Sequence, residues 1–198
     1  MTVRSKAALA AALSMLTLSI LAPSGTAYSR SRGSSAAQYT AKGELIFPAD
    51  YREWVFLTSG VNMNYSDDAM GMDHDMVDNV FVDPASWRAF KQTGQWPEGT
   101  VLVKEPRMGA HTGSINKSGT FQSGQRLGLE VHVKDTRRFK GGWAFFVHGD
   151  EQPAPAIPGT AACYSCHQDH GATETTFVQF YPTAKPIAVK AGTFDAGK

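Results

Sequence analysis

Five stretches of the chain carry the apolar, β-branched pattern of strands. They are Trp54–Thr58, Asn79–Asp83, Thr100–Glu105, Leu127–Lys134 and Gly142–His148. Leu127–Lys134 alternates with period two: Leu127, Leu129, Val131 and Val133 share an apolar face, and Glu130 and His132 point the other way. In the third stretch Lys104 falls on the same face as Thr100 and Leu102. Turn signals punctuate the pattern at Pro97-Glu-Gly99, Ser118-Gly119, Ser123-Gly124 and Lys140-Gly-Gly142. Helical signals are fewer. Pro84–Gly94 opens on proline, closes on glycine and places Trp87 and Phe90 on one face. Pro48–Glu53 predicts a short helix before the first strand. The pattern specifies an α+β fold, mainly β: an antiparallel sheet with a few packed helices.

The N-terminus follows a different rule. Arg4 and Lys6 precede an apolar run from Ala7 to Leu21, and small residues Gly25 and Ala27 follow. This is the pattern of a cleaved secretory signal over residues 1–27. Ser14, Thr17 and Ser19 interrupt the run, which is short for a membrane span. Residues 28–38 are rich in Ser, Arg, Ala and Gly and predict a disordered leader. A single folded domain is expected over 39–186, with a flexible tail at 187–198. Removing Arg4 and Lys6 with the signal leaves 17 basic against 18 acidic residues. Such a balance gives no sign of a nucleic-acid partner or of a basic membrane-binding face.

The chemistry is concentrated in one pentapeptide, Cys163-Tyr164-Ser165-Cys166-His167. It uses both cysteines of the chain. C-x-x-C-H is the attachment signature of c-type haem. Two thiols at that spacing add to the haem vinyl groups, and His167 then supplies an axial iron ligand. The Pro-rich connector Pro153–Pro158 precedes the motif, which is expected at the start of a short C-terminal helix. A redox dithiol would need a βαβ context, and none precedes the motif. A zinc site would have to take Cys163, Cys166, His167 and His170 from one short segment. A plain disulfide would not need His167. One covalent haem c in an exported, periplasmic protein is the reading that uses every residue of the motif.

What faces the other side of the iron is less defined by pattern. A sixth protein ligand makes an electron carrier, and an open position makes a gas binder or an enzyme. Met63, Met70, Met72, Met76 and Met108 are candidate ligands, and most lie in the Asp-rich loop 62–76 that also holds His74. His111, His132, His148 and His170 fit surface or satisfied polar positions. Lys104 and Glu130 fit either solvated charges on the outer face of a sheet or polar groups of a pocket, and spacing alone does not separate the two.

The chain resembles the cytochrome P-460 family along nearly its whole exported length. The matching pieces are Tyr51–Val55, Asn79–Val82, Trp87–Gly94, Trp96–Glu105, Gly128–Val131 with Lys134-Asp135, Gly142–Phe145, Cys163–His167 and Phe177–Pro182. The resemblance implies a β-rich homodimer with five-coordinate haem c, His167 being the iron ligand. It implies that Lys104, in the Gly-Thr-Val-Leu-Val-Lys-Glu segment, is the lysine that catalytic members bond to the haem. It implies that Glu130 resembles the carboxylate that assists proton transfer. Hydroxylamine would then be oxidised, through a haem-bound nitrosyl, to nitrous oxide or nitric oxide, and a soluble cytochrome would take the electrons. The cytochromes c′-beta of the same family bind nitric oxide or carbon monoxide under a phenylalanine cap without catalysis. Phe56, Phe81, Phe121, Phe145 and Phe146 are the aromatic candidates here for that cap.

Overall fold

The computed structural model of the chain describes residues 37–65 and 75–198. The expected signal peptide, most of the leader, and Met70, Met72 and His74 of the loop lie outside the described residues. Within them the strands are β1 (Val55–Val61), β2 (Met76–Val82), β3 (Val101–Ala110), β4 (Phe121–Arg126), β5 (Leu129–Lys134) and β6 (Trp143–His148). They form one antiparallel sheet in the order β1-β2-β3-β5-β6, with β4 added to β3. The helices are α1 (Pro84–Thr93), α2 (Ala162–His170) and α3 (Lys185–Ala191). The expected mainly-β α+β architecture is the observed one. No helix among the described residues is long and apolar enough to cross a membrane.

β3 is the spine of the sheet. One edge pairs with β2 along its length, from Val82↔Leu102 to Met76↔Met108. Its other edge is shared. The first half pairs with β5 and the second half with β4, which lie end to end. Gly128 separates those two strands at φ +153°, a conformation glycine adopts freely. The expected strand at Leu127 therefore starts at Leu129, and Leu127 is exposed rather than part of the apolar face. β4 escapes the pattern because Phe121-Gln-Ser-Gly-Gln-Arg126 is polar, and its Ser-Gly pair signals a turn. Its strand geometry comes from pairing with β3, helped by Arg107 Nη1, which donates to the Ser123 and Gly124 carbonyls at 3.1 and 3.0 Å. β1 and β3 also outrun the apolar stretches that announced them.

Each face of the sheet has its own core. One face sends Val101, Val103, Leu129, Val131, Val133, Ala144 and Phe146 against Leu45, Phe47, Tyr51 and Trp54. The other face packs Leu57, Val82, Leu102 and Trp143 against α1, α3 and the segment around Val178 and Tyr181. The short helix expected at Pro48–Glu53 is a 3-10 turn at Tyr51–Glu53. On α1, Phe90 is fully buried and stacks on Trp96 with ring centroids 3.9 Å apart. The helix ends at Gly94, whose φ of +68° forms the left-handed cap. Folded structure continues past the expected boundary at Pro186. α3 buries Ala188 completely, and Thr193 Oγ1 donates to the Gly94 carbonyl at 2.6 Å, so that stretch of the tail is packed against α1.

Asp83 joins helix to sheet. Its Oδ1 accepts from Ala85 N and Ser86 N, capping α1, and its Oδ2 accepts from Val101 N at the start of β3. Asp83→Ala removes an N-cap and leaves a buried β3 amide unpaired, a loss of about 2–3 kcal/mol in folding free energy. Equilibrium denaturation measures it. A loss under about 0.5 kcal/mol would show that α1 is held by its apolar face alone.

Candidate functional site

Alternation along β3 and β5 sends Leu102, Lys104, Glu130 and His132 to one face of the sheet. Register makes Lys104 the direct partner of Val80 on β2 and of Glu130 on β5. Asp78, two residues from Val80, is the diagonal neighbour on the same face. Lys104 Nζ lies 3.0 Å from Glu130 Oε1 and 3.7 Å from Asp78 Oδ1. The side chains of this cluster differ in exposure: Glu130 50 %, Lys104 27 %, Asp78 8 %. Asp78 Oδ1 is buried without a hydrogen bond, the lysine being beyond that reach. Burial raises the Asp78 carboxyl above the usual carboxylate range, Lys104 opposes that rise and Glu130 adds to it. For Lys104 burial disfavours the charged amine, but Glu130 and Asp78 together outweigh it and hold the ammonium above its ordinary value.

α2 forms the facing wall. Tyr164 pins it to β6: its hydroxyl donates to the Ile157 carbonyl at 2.9 Å and its ring meets Phe145 edge-on at 4.9 Å. Cys163 and Cys166, one turn apart, are free thiols in half-buried positions. His167 Nδ1 lies 2.7 Å from the Thr175 carbonyl oxygen. A carbonyl only accepts, so Nδ1 carries the hydrogen and Nε2 keeps its lone pair. The imidazole sits between Phe177 and Phe145, at 4.2 and 4.5 Å between centroids, and burial lowers its pKa. Gly171 permits the tight return of the chain to Thr175, since a Cβ there would lie 2.7 Å from the His167 carbonyl oxygen. Glu174 then ties the returning segment to the sheet through Lys134 Nζ at 2.8 Å and Trp143 Nε1 at 3.1 Å.

Between these walls lies a cavity of about 490 Å³ that Cys163, Cys166 and His167 line from one side, and Lys104, Glu130 and Asp78 from the other. The sequence profile described as Cytochrome P460 matches residues 48–178. The chain belongs to the cytochrome P460 family. No curated protein matches it. Membership in the P460 family implies haem binding, and the residues present fit that group. The space between sheet and helix is bordered by Val80, Leu102, Phe145 and Phe177, the apolar surface a macrocycle needs. The donor set is two free thiols at attachment spacing and one imidazole whose outer nitrogen is unengaged. No group of three or more His, Cys, Asp or Glu side chains among the described residues is arranged to hold a bare metal ion.

The P460 site thus brings together Lys104, Glu130, Cys163, Cys166 and His167. Lys104 and Glu130 border the cavity that α2 and its return segment wall from the other side, and half of the Glu130 side chain is exposed. Two participants were not singled out from sequence. His132 is buried in the wall, stacks on Phe145 at 4.0 Å and meets His167 edge-on at 5.0 Å. Burial pushes its pKa well below the usual value, so it is neutral. The alternation that placed Glu130 on this face placed His132 beside it. Asp78 lay one residue outside the apolar stretch that marked β2. Among the described methionines Met63 lines the cavity, whereas Met76 and Met108 are register partners in β2 and β3.

The raised Asp78 pKa gives a signed prediction. A carboxyl whose folded-state value exceeds its unfolded value destabilises the fold when ionised, and this cost disappears as pH falls through the folded value. Asp78→Asn therefore melts higher than the parent protein near neutral pH, and the difference shrinks toward zero on acidification below about pH 4. A variant that melts lower at neutral pH would mean that the Lys104 attraction outweighs burial.

Proposed function

We propose that this protein is an exported, periplasmic c-type cytochrome with one covalent haem and an open iron position, and that it oxidises hydroxylamine. The observation that carries the proposal is the pairing of two walls across one cavity. Cys163, Cys166 and His167 stand on one side, and a cluster of one cation and two carboxylates on the other. The sulfurs of Cys163 and Cys166 would hold the macrocycle, and Nε2 of His167 would ligate its iron. When bound, the haem supplies the redox-active centre that accepts electrons from the substrate. The chain's own residues handle the protons.

Oxidising hydroxylamine to nitric oxide or nitrous oxide releases protons as well as electrons. Glu130 would receive them: its Oε1 lies 3.0 Å from Lys104 Nζ and half of its side chain is exposed, which supports this reading. A carboxylate in this position works as a general base and returns protons to solvent. Lys104 keeps Glu130 oriented and offsets its charge within an otherwise apolar wall. The same amine is the group through which a lysine–haem bond would form. Thr175 fixes the His167 tautomer, and Phe145 and Phe177 hold the ring and keep water from it. Electrons would leave to a soluble cytochrome partner, and the working unit would be a homodimer.

A purely gas-binding role has less support. Of the candidate cap residues, Phe56, Phe81 and Phe121 do not line the cavity. Phe56 packs on Phe81 at 5.8 Å, and Phe146, although it borders the cavity, is fully buried in the core of the opposite face. Phe177 and Phe180 also border the cavity, and Phe177 packs on His167 at 4.2 Å. Phe145 packs against His167, on the attachment side.

The distinction is measurable. Glu130→Gln lowers hydroxylamine-dependent reduction of a redox dye by about 100-fold or more while nitric oxide binding persists. Turnover equal to the parent removes Glu130 from the mechanism. Attachment is read separately. In the parent protein the haem stays with the polypeptide after acid denaturation, whereas with Cys163→Ser and Cys166→Ser in a Lys104→Gln background, where no lysine bond can form, it is released. Release of haem from the denatured parent protein would contradict the covalent assignment.

A further inference from the structure

Asp78 is the carboxyl of the cavity that the proposed chemistry leaves without a task. It is 6 % exposed as a residue and lines the cavity beside Lys104. Its Oδ1 is buried, makes no hydrogen bond and has the Lys104 ammonium as its nearest cation at 3.7 Å. On its other flank β1 offers Gly60 as the register partner and Thr58 beyond it, neither of them charged. The charged and titratable groups that face it are therefore Lys104 from β3, Glu130 from β5 and Tyr65 after β1, with His132 from β5, Cys163, Cys166 and His167 from α2, and Tyr181 lining the rest of the cavity.

We propose that Asp78 is a third polar member of the reactive cluster, a positioning and proton-holding carboxyl whose protonation follows the charge on Lys104. The physical argument is short. An isolated carboxylate this deeply buried carries a large desolvation cost and escapes it by binding a proton. Here one cation stands against that outcome, and one anion, Glu130, favours it. While Lys104 is an ammonium, the cluster holds one positive and two negative charges, and Asp78 stays ionised. Once the Lys104 amine loses its charge, the cation is gone and both remaining influences, burial and Glu130, act in the same direction. Asp78 then takes up a proton from solvent at Oδ1. Loss of the ammonium's charge, its proton leaving to solvent, thus loads one proton onto a buried acid next to the ligand space. Glu130, half exposed, remains the route by which protons reach water.

The site is tested on the intact, haem-loaded protein by infrared difference spectroscopy between neutral and acidic pH, without substrate. The band followed is the C=O stretch of a buried carboxyl without a hydrogen bond, which lies at higher frequency than those of the hydrated carboxyls that protonate alongside it, and the parent gains it on acidification. Asp78→Asn loses that band, and Glu130→Gln retains it with a midpoint at lower pH, because a repelling anion has been removed. In Lys104→Gln the Asp78 band persists to a pH at least about one unit higher than in a parent whose Lys104 is unmodified. The same upward displacement is expected in protein whose Lys104 peptide is found joined to the haem. Two results overturn the proposal: a band that survives in Asp78→Asn, and a midpoint that does not move in Lys104→Gln. The second holds even if Asp78→Asn fails to fold. The proposal relies on the hydroxylamine reading only for the use made of the proton. Absent turnover alongside an Asp78 band that responds to Lys104 would refute that reading and support this one.

Discussion

The register of β3 is the constraint on which the site depends. Lys104 and Glu105 are neighbours in sequence and point to opposite faces of the sheet. Glu105 is 1 % exposed and enclosed in the opposite core. Arg52 Nη2 and Arg107 Nε each donate to it at 2.5 Å, and the Tyr51 hydroxyl donates as well. A carboxylate held by two guanidiniums and a phenol has charge-assisted bonds that no other residue of β3 could take over. A slip of one residue would drive Lys104 into the space of Val103 and Val131 and strip Glu105 of its partners. The cage around Glu105 thus fixes from behind the position at which Lys104 enters the cavity. Through the ladder it also fixes Glu130 and Asp78.

Two requirements meet at that cavity, and they pull against each other. Haem wants an apolar slot, while the proton-coupled oxidation proposed above would want acids and bases. The fold separates them by wall. α2 and its return segment supply thiols, an oriented imidazole and aromatic packing. The sheet supplies charge, but as a cluster in which Lys104 offsets its neighbours, so that an apolar wall tolerates two carboxylates. His132 sits where the walls join and is kept neutral by burial, which avoids a further cation beside His167. Glu130 and Asp78, chemically alike, differ in exposure, the first half exposed and the second buried.

Most of this arrangement was legible in the sequence, for stated reasons. Period-two alternation placed Lys104 with Leu102, and Glu130 opposite Val131. Proline and glycine marked both ends of α1, and the spacing of Cys163, Cys166 and His167 named the cofactor. What alternation could not supply was which face would be covered, because that depends on α2 returning over the sheet from far along the chain. Asp78 stayed hidden because β2 begins at Met76-Val-Asp78, directly after the Asp-rich loop, where an acidic residue reads as a continuation of that loop and pairing with β3 sets the strand. β4 was hidden because its strand, too, is set by pairing with β3. α3 was missed because its contribution to the core is made by small residues, Ala184 and Ala188, which leave almost no hydrophobic signature.

If the sheet face opposite α2 serves ligands, as proposed, one iron position is free of protein. The absorption spectrum of the reduced protein decides this. A five-coordinate haem, the expected result, gives broad visible bands that change when nitric oxide is added. Sharp α and β bands of a six-coordinate, low-spin haem, unmoved by nitric oxide, would mean that Met63 or another side chain occupies the iron, and would rule out an open ligand position.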